Sequence, residues 1–407
     1  MHRSSFLGTV LLVALVTACD RDTSQIVAPQ PPRAAVGPMA RTNEPIPNSY
    51  LVMFHRDSAP NPTAIERLID VLNKRYGGHV SFRYDALGGF AVDSLPASLA
   101  QRLAAEPAVA SVEANTVLHL QDVQYGPGAG LDRIDQDNLP LDNAFSYAYT
   151  GAGVNVYIID TGVDSLNPEF RGRIGTGTSC VSQGGPWTSA DNFGHGTAVA
   201  SVAAGSTFGV AKGAIIHSVR ISGDANGTST DAIETCGINW VASYGQRPAV
   251  ANMSFGGIPS SFAARDAINN VAYYGQITFV KAAGNDASDA YLDRTNRGAY
   301  EVVVGATDPT NDSFASFSDY GSTITTSAPG VNVLVADKFN PGYGKLGSGT
   351  SFAAPYVAGV VAAMLQAEPN LIPSQVVNQL EQWQVVNGVI TGLPAGTPNR
   401  LLRNGGL

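Results

Sequence analysis

VNVYIID, residues 154–160, is an apolar run that ends in an acid, and it indicates the fold of the larger part of the chain. Its length and β-branched residues predict a strand buried on both faces, which is typical of a parallel sheet covered by helices. Further runs of this kind follow it along the chain: AIIHSVRI (214–221), AVANMSF (249–255), QITFVKAA (276–283) and EVVVGAT (301–307).

Segments with helical apolar spacing separate these runs, most clearly 195–204, 231–244 and 262–274. Strands that alternate with helices predict an α/β fold in which helices sandwich a parallel sheet. In such sheets ligands and chemistry lie beyond the carboxyl ends of the strands. Asp160 therefore marks an edge where functional side chains are expected.

The bulk composition is that of a well-packed globular chain. Of its 407 residues 44% are hydrophobic and 14% are charged, below the usual charged fraction of about 25%. A disordered chain is thereby excluded. The net charge of −9 and the lack of a Lys/Arg run give no basic field for phosphates, so nucleic acid is not an expected partner.

The N-terminus predicts export. A basic start precedes an apolar run, residues 6–16, which is shorter than the roughly 20 helical residues that span a bilayer. The following VTAC resembles a bacterial lipobox, which implies lipidation of Cys19; the alternative is an ordinary secretory signal with an incidental cysteine. We interpret residues 1–19 as a signal peptide with lipobox and 20–45, rich in Pro, Ala and polar residues, as a flexible linker.

Residues 46–120 predict a small separate domain. Strand and helix patterns alternate there in the order β-α-β-β-α-β, with SYLVMF as the first strand and residues 62–76 as the first helix. This order is typical of a ferredoxin-like α+β unit. The larger domain then comprises residues 121–407.

Chemistry-capable residues of the larger domain lie at strand or helix ends: Asp160, His195, Asn285 and Ser351. Asp160 and Asn285 lie at the ends of predicted strands. His195 and Ser351 lie where helical stretches begin. Taken singly, the Asp is explained as a turn residue and the Ser as a helix N-cap, whereas the Asn is equally well explained as a turn residue and as an oxyanion donor. His195 is the candidate general base because His217 lies inside a strand, where a structural role is expected.

The stretch GSGTSFAAPYVAG, residues 347–359, contains a proline that interrupts the hydrogen bonds of its predicted helix. Pro355 has no backbone N–H, so the carbonyl of Ser351 loses its helical donor. A serine hydroxyl at a helix start lies beside unpaired N–H groups and becomes a nucleophile only with an adjacent base. A serine that merely caps the helix does not explain the proline.

Together, IIDTGVD, FGHGTAVAS, NMSFGG, AAGN and SGTSFAAPYVAG resemble the motifs of the subtilisin-like serine proteases (the subtilase or peptidase S8 family), especially the proteinase K-like branch. The order Asp, His, Ser along the chain is the one known for subtilisin. The resemblance implies that Ser351 is the nucleophile, His195 the general base and acid, and Asp160 the group that orients the imidazole. Asn285 and the Ser351 backbone N–H would form the oxyanion hole.

The same resemblance implies an exported serine endopeptidase that forms an acyl-enzyme and needs no catalytic cofactor. Residues 46–120 would be an inhibitory propeptide of the I9 type, which the enzyme removes itself. Cleavage near residues 119–122 would detach the catalytic domain from a lipid-anchored precursor and leave it in the periplasm or outside the cell. The expected partners are polypeptide substrates and the chain's own propeptide, and a monomer is expected.

A peptide substrate would bind, by this resemblance, as an added strand between segments 221–224 and 254–256. The substrate-binding residues implied are Gly223, Ser254, Phe255, Gly256, Ala282, Ala283 and Gly284. Small residues at the last three positions leave room for a sizeable apolar or aromatic group. At the far wall of this pocket Asp293 and Arg294 depart from the family pattern, so an altered preference is expected there.

The segment LDRIDQDNLPLDNAF resembles a calcium site of some proteinase K relatives. The oxygen ligands that the resemblance implies are Asp132, Asp135, Gln136, Asp142 and Asn143. Hard oxygen ligands in one loop suit Ca²⁺, which takes about six to eight of them. The alternative is a solvated acidic loop, so a structural calcium ion stays a hypothesis.

Two cysteines remain if Cys19 carries lipid. Cys180 and Cys236 either form one disulfide, as an oxidising compartment allows, or remain two buried thiols.

Two functions of other classes compete with the protease: a catalytically silent binding lipoprotein and a serine esterase. The complete set of acid, imidazole, amide and hydroxyl argues against a protein without catalytic activity. The lack of a G-x-S-x-G elbow argues against the common esterase design.

Overall fold

The structure is a computed structural model that describes residues 35–181, 191–223, 227–256 and 260–407, without the side chains of 35–44 and 117–121. The predicted signal peptide, most of the predicted linker and the last residue of segment 221–224 lie outside these residues. The described chain forms two compact units, Val36–Asp122 and Val123–Gly405.

The small unit has the element order expected from the sequence, β-α-β-β-α-β. Its strands stand in the order β2-β3-β1-β4, and β3 pairs antiparallel with both β1 and β2. A core that includes Val52, Ile69, Leu72 and Phe90 joins the sheet to both helices. The elements are β1 (Ala35–Phe54), α1 (Pro62–Tyr76), β2 (His79–Tyr84), β3 (Gly89–Asp93), α2 (Ala97–Leu103) and β4 (Val109–Tyr125).

Both boundaries of the small unit differ from the predicted residues 46 and 120. Strand β1 begins at Ala35, inside the predicted linker 20–45, and β4 continues to Tyr125. The extended backbone of this segment fits its prolines, because each fixes φ near about −65° and disfavours the helical region for the residue before it.

The large unit contains the remaining elements, and strands alternate with α-helices in it from residue 178 to residue 282. The strands are β5 (Ala144–Tyr147), β6 (Asn155–Asp160), β7 (Thr178–Ser179), β8 (Ile215–Arg220), β9 (Ala249–Met253), β10 (Thr278–Ala282), β11 (Glu301–Thr307), β12 (Thr326–Pro329), β13 (Val333–Ala336), β14 (Gly344–Gly347), β15 (Val385–Asn387) and β16 (Arg400–Leu402). The helices are α3 (Ala129–Ile134), α4 (His195–Ala204), α5 (Asp231–Tyr244), α6 (Phe262–Asn270), α7 (Thr350–Ala367) and α8 (Pro373–Trp383).

The main sheet has the strand order β15-β16-β12-β11-β10-β9-β6-β8-β7 in the described part of the chain. Its pairs are parallel from β16 to β7, and only β15 runs antiparallel to its neighbour. The predicted α/β fold with a parallel sheet between helices is thus confirmed. Strand β6 lies between β8 and β9, which follow it on opposite sides. Asp160 therefore ends the strand at which the strand order reverses, the place where such sheets bind ligands.

Helix α7 runs through the core of the large unit. Residues 350–365 are buried in an unbroken stretch, and Pro355 lies inside the helix. Among the described residues α7 is the one helix long and apolar enough to cross a membrane, yet 89% of it is buried in the protein. We therefore interpret it as a core helix.

Two further features of the large unit resolve expectations from the sequence. Cys180 and Cys236 form a disulfide with a Cα–Cα distance of 6.0 Å, which links the end of β7 to α5. His217 is a structural residue of β8: its ring stacks on Tyr157 with centroids 4.6 Å apart, and its nitrogens contact the Thr176 carbonyl and the Asn155 side chain.

Candidate active site

Asp160 is a buried carboxylate at the carboxyl end of β6, with 1% of its surface exposed. Its Oδ1 accepts hydrogen bonds from the backbone N–H of Thr161 (2.7 Å) and from Nδ1 of His195 (2.8 Å). A carboxylate only accepts, so the Nδ1 of His195 carries the proton. The other ring nitrogen, Nε2, is then left as the basic one.

Glycines on both sides of His195 allow this contact. Gly194 caps helix α4 with φ 98°, a left-handed conformation that glycine adopts without strain. A Cβ at Gly196 would collide with the carbonyl oxygen of Gly162 and would lie 3.1 Å from Oδ1 of Asp160. The FGHG motif is therefore explained by the close approach of the start of α4 to the loop after β6.

Opposing effects act on the pKa of His195. Burial lowers this pKa, but the charge and the hydrogen bond of Asp160, together with the charge of Asp191, outweigh burial and raise it above its ordinary value. Lys345 opposes the increase slightly.

Asp191 is a second buried carboxylate that the sequence analysis missed. It is fully buried and accepts five hydrogen bonds: from the Thr161 hydroxyl (2.8 Å), the N–H groups of Phe193 (3.1 Å) and Gly194 (2.7 Å), and the N–H (2.9 Å) and hydroxyl (2.6 Å) of Thr197. It thereby ties the residue after Asp160 to the turn that begins α4. An acid four residues before a helical His is a recognisable signal, because acids favour helix N-termini.

Ser351 is the second residue of α7, with 8% of its surface exposed. Its hydroxyl donates to the backbone carbonyl of Ser254 (3.3 Å). In the described chain no hydrogen bond joins this hydroxyl to His195. The imidazole nevertheless lies beside the same helical turn, because its ring centroid is 5.7 Å from that of Phe352.

Asn285 follows β10 and faces the start of α7. Its Oδ1 accepts from the backbone N–H of Thr350 (2.8 Å) and lies 2.9 Å from the Thr350 hydroxyl. Because a backbone N–H only donates, the amide oxygen must face Thr350, which leaves the Nδ2 group as a donor on the other side. A Cβ on Gly349 would lie 3.7 Å from both the Nδ2 of Asn285 and the backbone nitrogen of Ser351. The two predicted oxyanion donors therefore border one space, which Gly349, with φ 149°, keeps open.

The residues that the family resemblance implied for substrate binding lie at the carboxyl ends of three strands on both sides of β6. Gly223 follows β8, the segment 254–256 follows β9, and 282–284 ends β10. Arg220, which is buried, donates to the carbonyls of Ser222 (2.8 Å) and Gly223 (3.2 Å) and so fixes the first segment.

The predicted far wall of the pocket contains a buried ion pair. Nζ of Lys281 lies 3.7 Å from Oδ2 of Asp293 and also contacts the Thr295 hydroxyl. Burial favours a higher pKa for Asp293, but Lys281 and hydrogen bonds from Ser260 and Thr295 outweigh it and lower this pKa. A Cβ on Gly256 would lie 2.9 Å from Oδ2 of Asp293, so this acid borders a predicted substrate segment.

The side chain of Arg294 contacts Phe262 and Ser260. Its guanidinium stacks over the ring of Phe262 at 4.5 Å from the centroid and donates to the Ser260 carbonyl (2.9 Å).

The predicted calcium loop is held by its own carboxylates. Asp132 accepts from the N–H groups of Asp142 (3.1 Å) and Asn143 (2.8 Å), and Asp135 accepts from that of Ser146 (2.7 Å). Oδ1 of Asp135 is buried and has no hydrogen-bond partner among the described residues.

The acidic charges of this loop would favour a bound cation, but its described side chains are not arranged as a metal site. Burial, with the charges of Asp142 and Asp132, raises the pKa of Asp135 to about 7. In the described ranges no group of three or more His, Cys, Asp or Glu side chains is arranged to hold a metal ion. Gln136 donates to the carbonyls of Asn138 (2.5 Å) and Pro140 (2.9 Å).

Comparisons with known proteins identify the family of the chain. The model of the Subtilase family matches residues 151–397. An extracellular serine proteinase of Thermus sp. (strain Rt41A) is 41% identical over 78% of this chain and 75% of the relative. Alkaline serine exoprotease A of Vibrio alginolyticus is 37% identical over 88% of this chain and 67% of the relative.

A solved structure of a cold-adapted subtilisin-like serine proteinase is 39% identical and has a TM-score of 0.64. The similarity covers 68% of this chain and 97% of that structure. The chain belongs to the subtilase family and is a serine endopeptidase.

Proposed function

We propose that the chain hydrolyses peptide bonds through an acyl-enzyme on Ser351, with His195 as general base and acid and Asp160 as the group that orients the imidazole. The observation that carries the proposal is the 2.8 Å hydrogen bond between Asp160 and Nδ1 of His195, in a buried site beside the first turn of α7.

In the first step, Nε2 of His195 takes the proton of the Ser351 hydroxyl while Oγ attacks the carbonyl carbon of the scissile bond. For this step the hydroxyl exchanges its bond to the Ser254 carbonyl for one to the imidazole. The imidazolium then gives the proton to the leaving amine. A water molecule, activated by the same nitrogen, hydrolyses the ester and regenerates Ser351.

The negative charge on the tetrahedral intermediate needs donors that are already in place. Nδ2 of Asn285 and the N–H of Ser351 border the same space, which supports this role for both. Loss of one such donor typically raises the barrier by about 3–4 kcal/mol.

Peptide binding would use backbone hydrogen bonds along segments 221–223 and 254–256, since extended segments at a sheet edge accept an added strand. The pocket formed by residues 282–284 would accept an apolar or aromatic side chain. The buried Lys281–Asp293 pair supports an altered wall next to Gly256.

The precursor would be exported, inhibited by its small unit and processed by its own active site near residues 119–122. The extracellular relative from Thermus supports export. Lipidation at Cys19 rests on the sequence alone. If it occurs, processing releases the catalytic domain from the membrane. Fully processed enzyme that stays in the membrane fraction through high-salt washing would contradict release.

A calcium ion in the loop of residues 132–143 is a further proposal. The unpaired Oδ1 of Asp135 and the negative charges of Asp132 and Asp142 near it support this proposal, since a hard cation takes oxygen ligands. Asp132, Asp135, Asp142, Gln136 and Asn143 would hold it, and its contribution would be structural.

The test compares the full chain with Ser351→Ala and with Ser348→Ala, an exposed serine of the same segment. We expect the wild type and Ser348→Ala to bind a fluorophosphonate covalently, to cleave casein and to lose a fragment of propeptide size. Ser351→Ala should do none of these and stay full length by mass. Fluorophosphonate labelling or self-processing of Ser351→Ala would refute the assigned nucleophile.

A further inference from the structure

The carbonyl of Ser351 has an unusual hydrogen-bond donor. In a regular helix it would accept from the N–H of residue 355, which is a proline and has none. The Ser254 hydroxyl donates to this carbonyl instead, at 2.7 Å, and both residues are buried. A buried carbonyl without a hydrogen bond lowers the free energy of unfolding by about 1–3 kcal/mol. The bond from Ser254 therefore replaces the helical hydrogen bond that Pro355 removes.

A second hydrogen bond orients the Ser254 hydroxyl. Nδ2 of Asn252, a buried residue of β9, donates to Oγ of Ser254 at 2.9 Å. An amide NH₂ only donates, so the proton of the Ser254 hydroxyl remains available for the Ser351 carbonyl. The backbone carbonyl of Ser254 in turn accepts from the Ser351 hydroxyl. Both polar oxygens of Ser351 thus contact the same residue.

We propose that Ser254 and Pro355 act as a positioning pair for the nucleophile, an inference that rests on the proposed function of Ser351. The proline removes the donor that the helix itself would supply, and the Ser254 hydroxyl supplies one from the end of β9. The first turn of α7 is thereby tied to the segment 254–256, which is proposed to bind the peptide. The oxygen that attacks and the segment that holds the substrate then keep a fixed distance.

The experiment uses the full chain and counts active sites by fluorophosphonate titration, so that rates refer to folded enzyme. In Ser254→Ala we expect kcat per site and the rate constant of fluorophosphonate labelling to fall about tenfold, as an unsatisfied buried carbonyl predicts. KM should stay within about twofold, because the peptide-binding backbone is retained. The control is Ser218→Ala, which removes a buried hydroxyl of β8 that has no hydrogen-bond partner in the described part of the chain.

The decisive variant is Ser254→Ala/Pro355→Ala. Alanine at position 355 restores the N–H that the Ser351 carbonyl would otherwise lack, so the double variant should recover most of the rate lost in Ser254→Ala. A double variant that is as slow as Ser254→Ala, or a Ser254→Ala enzyme with the kcat of wild type, would overturn the pairing. If the wild type itself fails to react with the fluorophosphonate, the proposed function fails instead.

Ser254→Thr and Ser254→Val keep the test decisive should the Pro355 variant not fold. The two side chains have the same shape and differ in the hydroxyl. The threonine enzyme should react with the fluorophosphonate about tenfold faster than the valine enzyme, and equal rates would overturn the proposal.

Discussion

At the scale of single residues, the environment of His195 determines the pH range in which the site is active. Burial disfavours the imidazolium, whereas Asp160 and Asp191 stabilise it, and the net effect is a raised pKa. The neutral ring is the form that accepts the Ser351 proton. Activity should therefore increase with pH through a midpoint above the ordinary histidine value of 6.5.

The first prediction concerns Asp160→Asn. Burial lowers the pKa of His195, and the Asp160 carboxylate opposes this effect. Without the carboxylate this pKa should fall, so the acidic limb of the kcat/KM profile should move to lower pH. The rate should also fall by about 10⁴, because an amide no longer fixes the proton on Nδ1. The measurement is the pH profile of both enzymes on one peptide substrate. An unchanged midpoint would mean that Asp160 does not control the imidazole.

The second prediction concerns Phe352, next to the nucleophile. Its ring packs near His195, and the methionines of the large unit, Met253 and Met364, are both buried. We expect the wild type to keep its activity in dilute peroxide and Phe352→Met to lose most of it, because a sulfoxide is polar and would disrupt this packing.

The matched control for this experiment is Phe339→Met, since Phe339 is exposed. Its methionine should gain an oxygen by mass without loss of activity. Equal peroxide resistance of the wild type and an oxidised Phe352→Met enzyme would contradict the expected effect.

At the scale of elements, the ends of strands and helices are explained by local chemistry. Helix α4 extends over the predicted residues 195–204 because glycine stands on each side of it. Helix α6 is shorter than predicted: its α-helical part ends at Asn270, and residues 271–275 form a π-helical turn. The disulfide Cys180–Cys236 joins β7 to α5 across 56 positions of sequence.

The third prediction belongs to this disulfide. Closing a loop of this length restricts the unfolded chain, which contributes about 2–4 kcal/mol to the free energy of unfolding. Cys180→Ser/Cys236→Ser should therefore unfold at lower denaturant concentration than the wild type. Dithiothreitol should lower the midpoint of the wild type and leave that of the double variant unchanged. Identical midpoints for both proteins would show that the bridge contributes no stability.

At the scale of the whole molecule, the proposed calcium ion links the loop of residues 132–143 to the stability of the large unit. A ligand that binds only the folded state stabilises it by mass action, by about 2.7 kcal/mol at a concentration of 100 Kd. The fourth prediction is that EDTA lowers the Tm of the wild type and that Ca²⁺, but not Mg²⁺, restores it. Asp135→Asn should have a lower Tm that responds weakly to either treatment. A wild-type Tm that is unaffected by EDTA would refute the site.

The sequence by itself determined the alternation of buried strands and helices and the residues at their ends. Strand β11 and helices α1, α4 and α5 have the predicted bounds, because apolar periodicity and flanking glycine, proline or capping residues act over a few positions. The candidate residues Asp160, His195, Asn285 and Ser351 were identified by their place at such ends and by the family motifs.

Tertiary structure alone decided the contacts between distant segments. The disulfide, the Lys281–Asp293 pair, the clamp of Asp191 on the start of α4 and the donation of Ser254 to Ser351 each depend on where the fold places two segments. A hydroxyl or a carboxylate has the same letter in the sequence whether it is solvated or paired. Only burial, which makes an unpaired polar group costly, selects its partner.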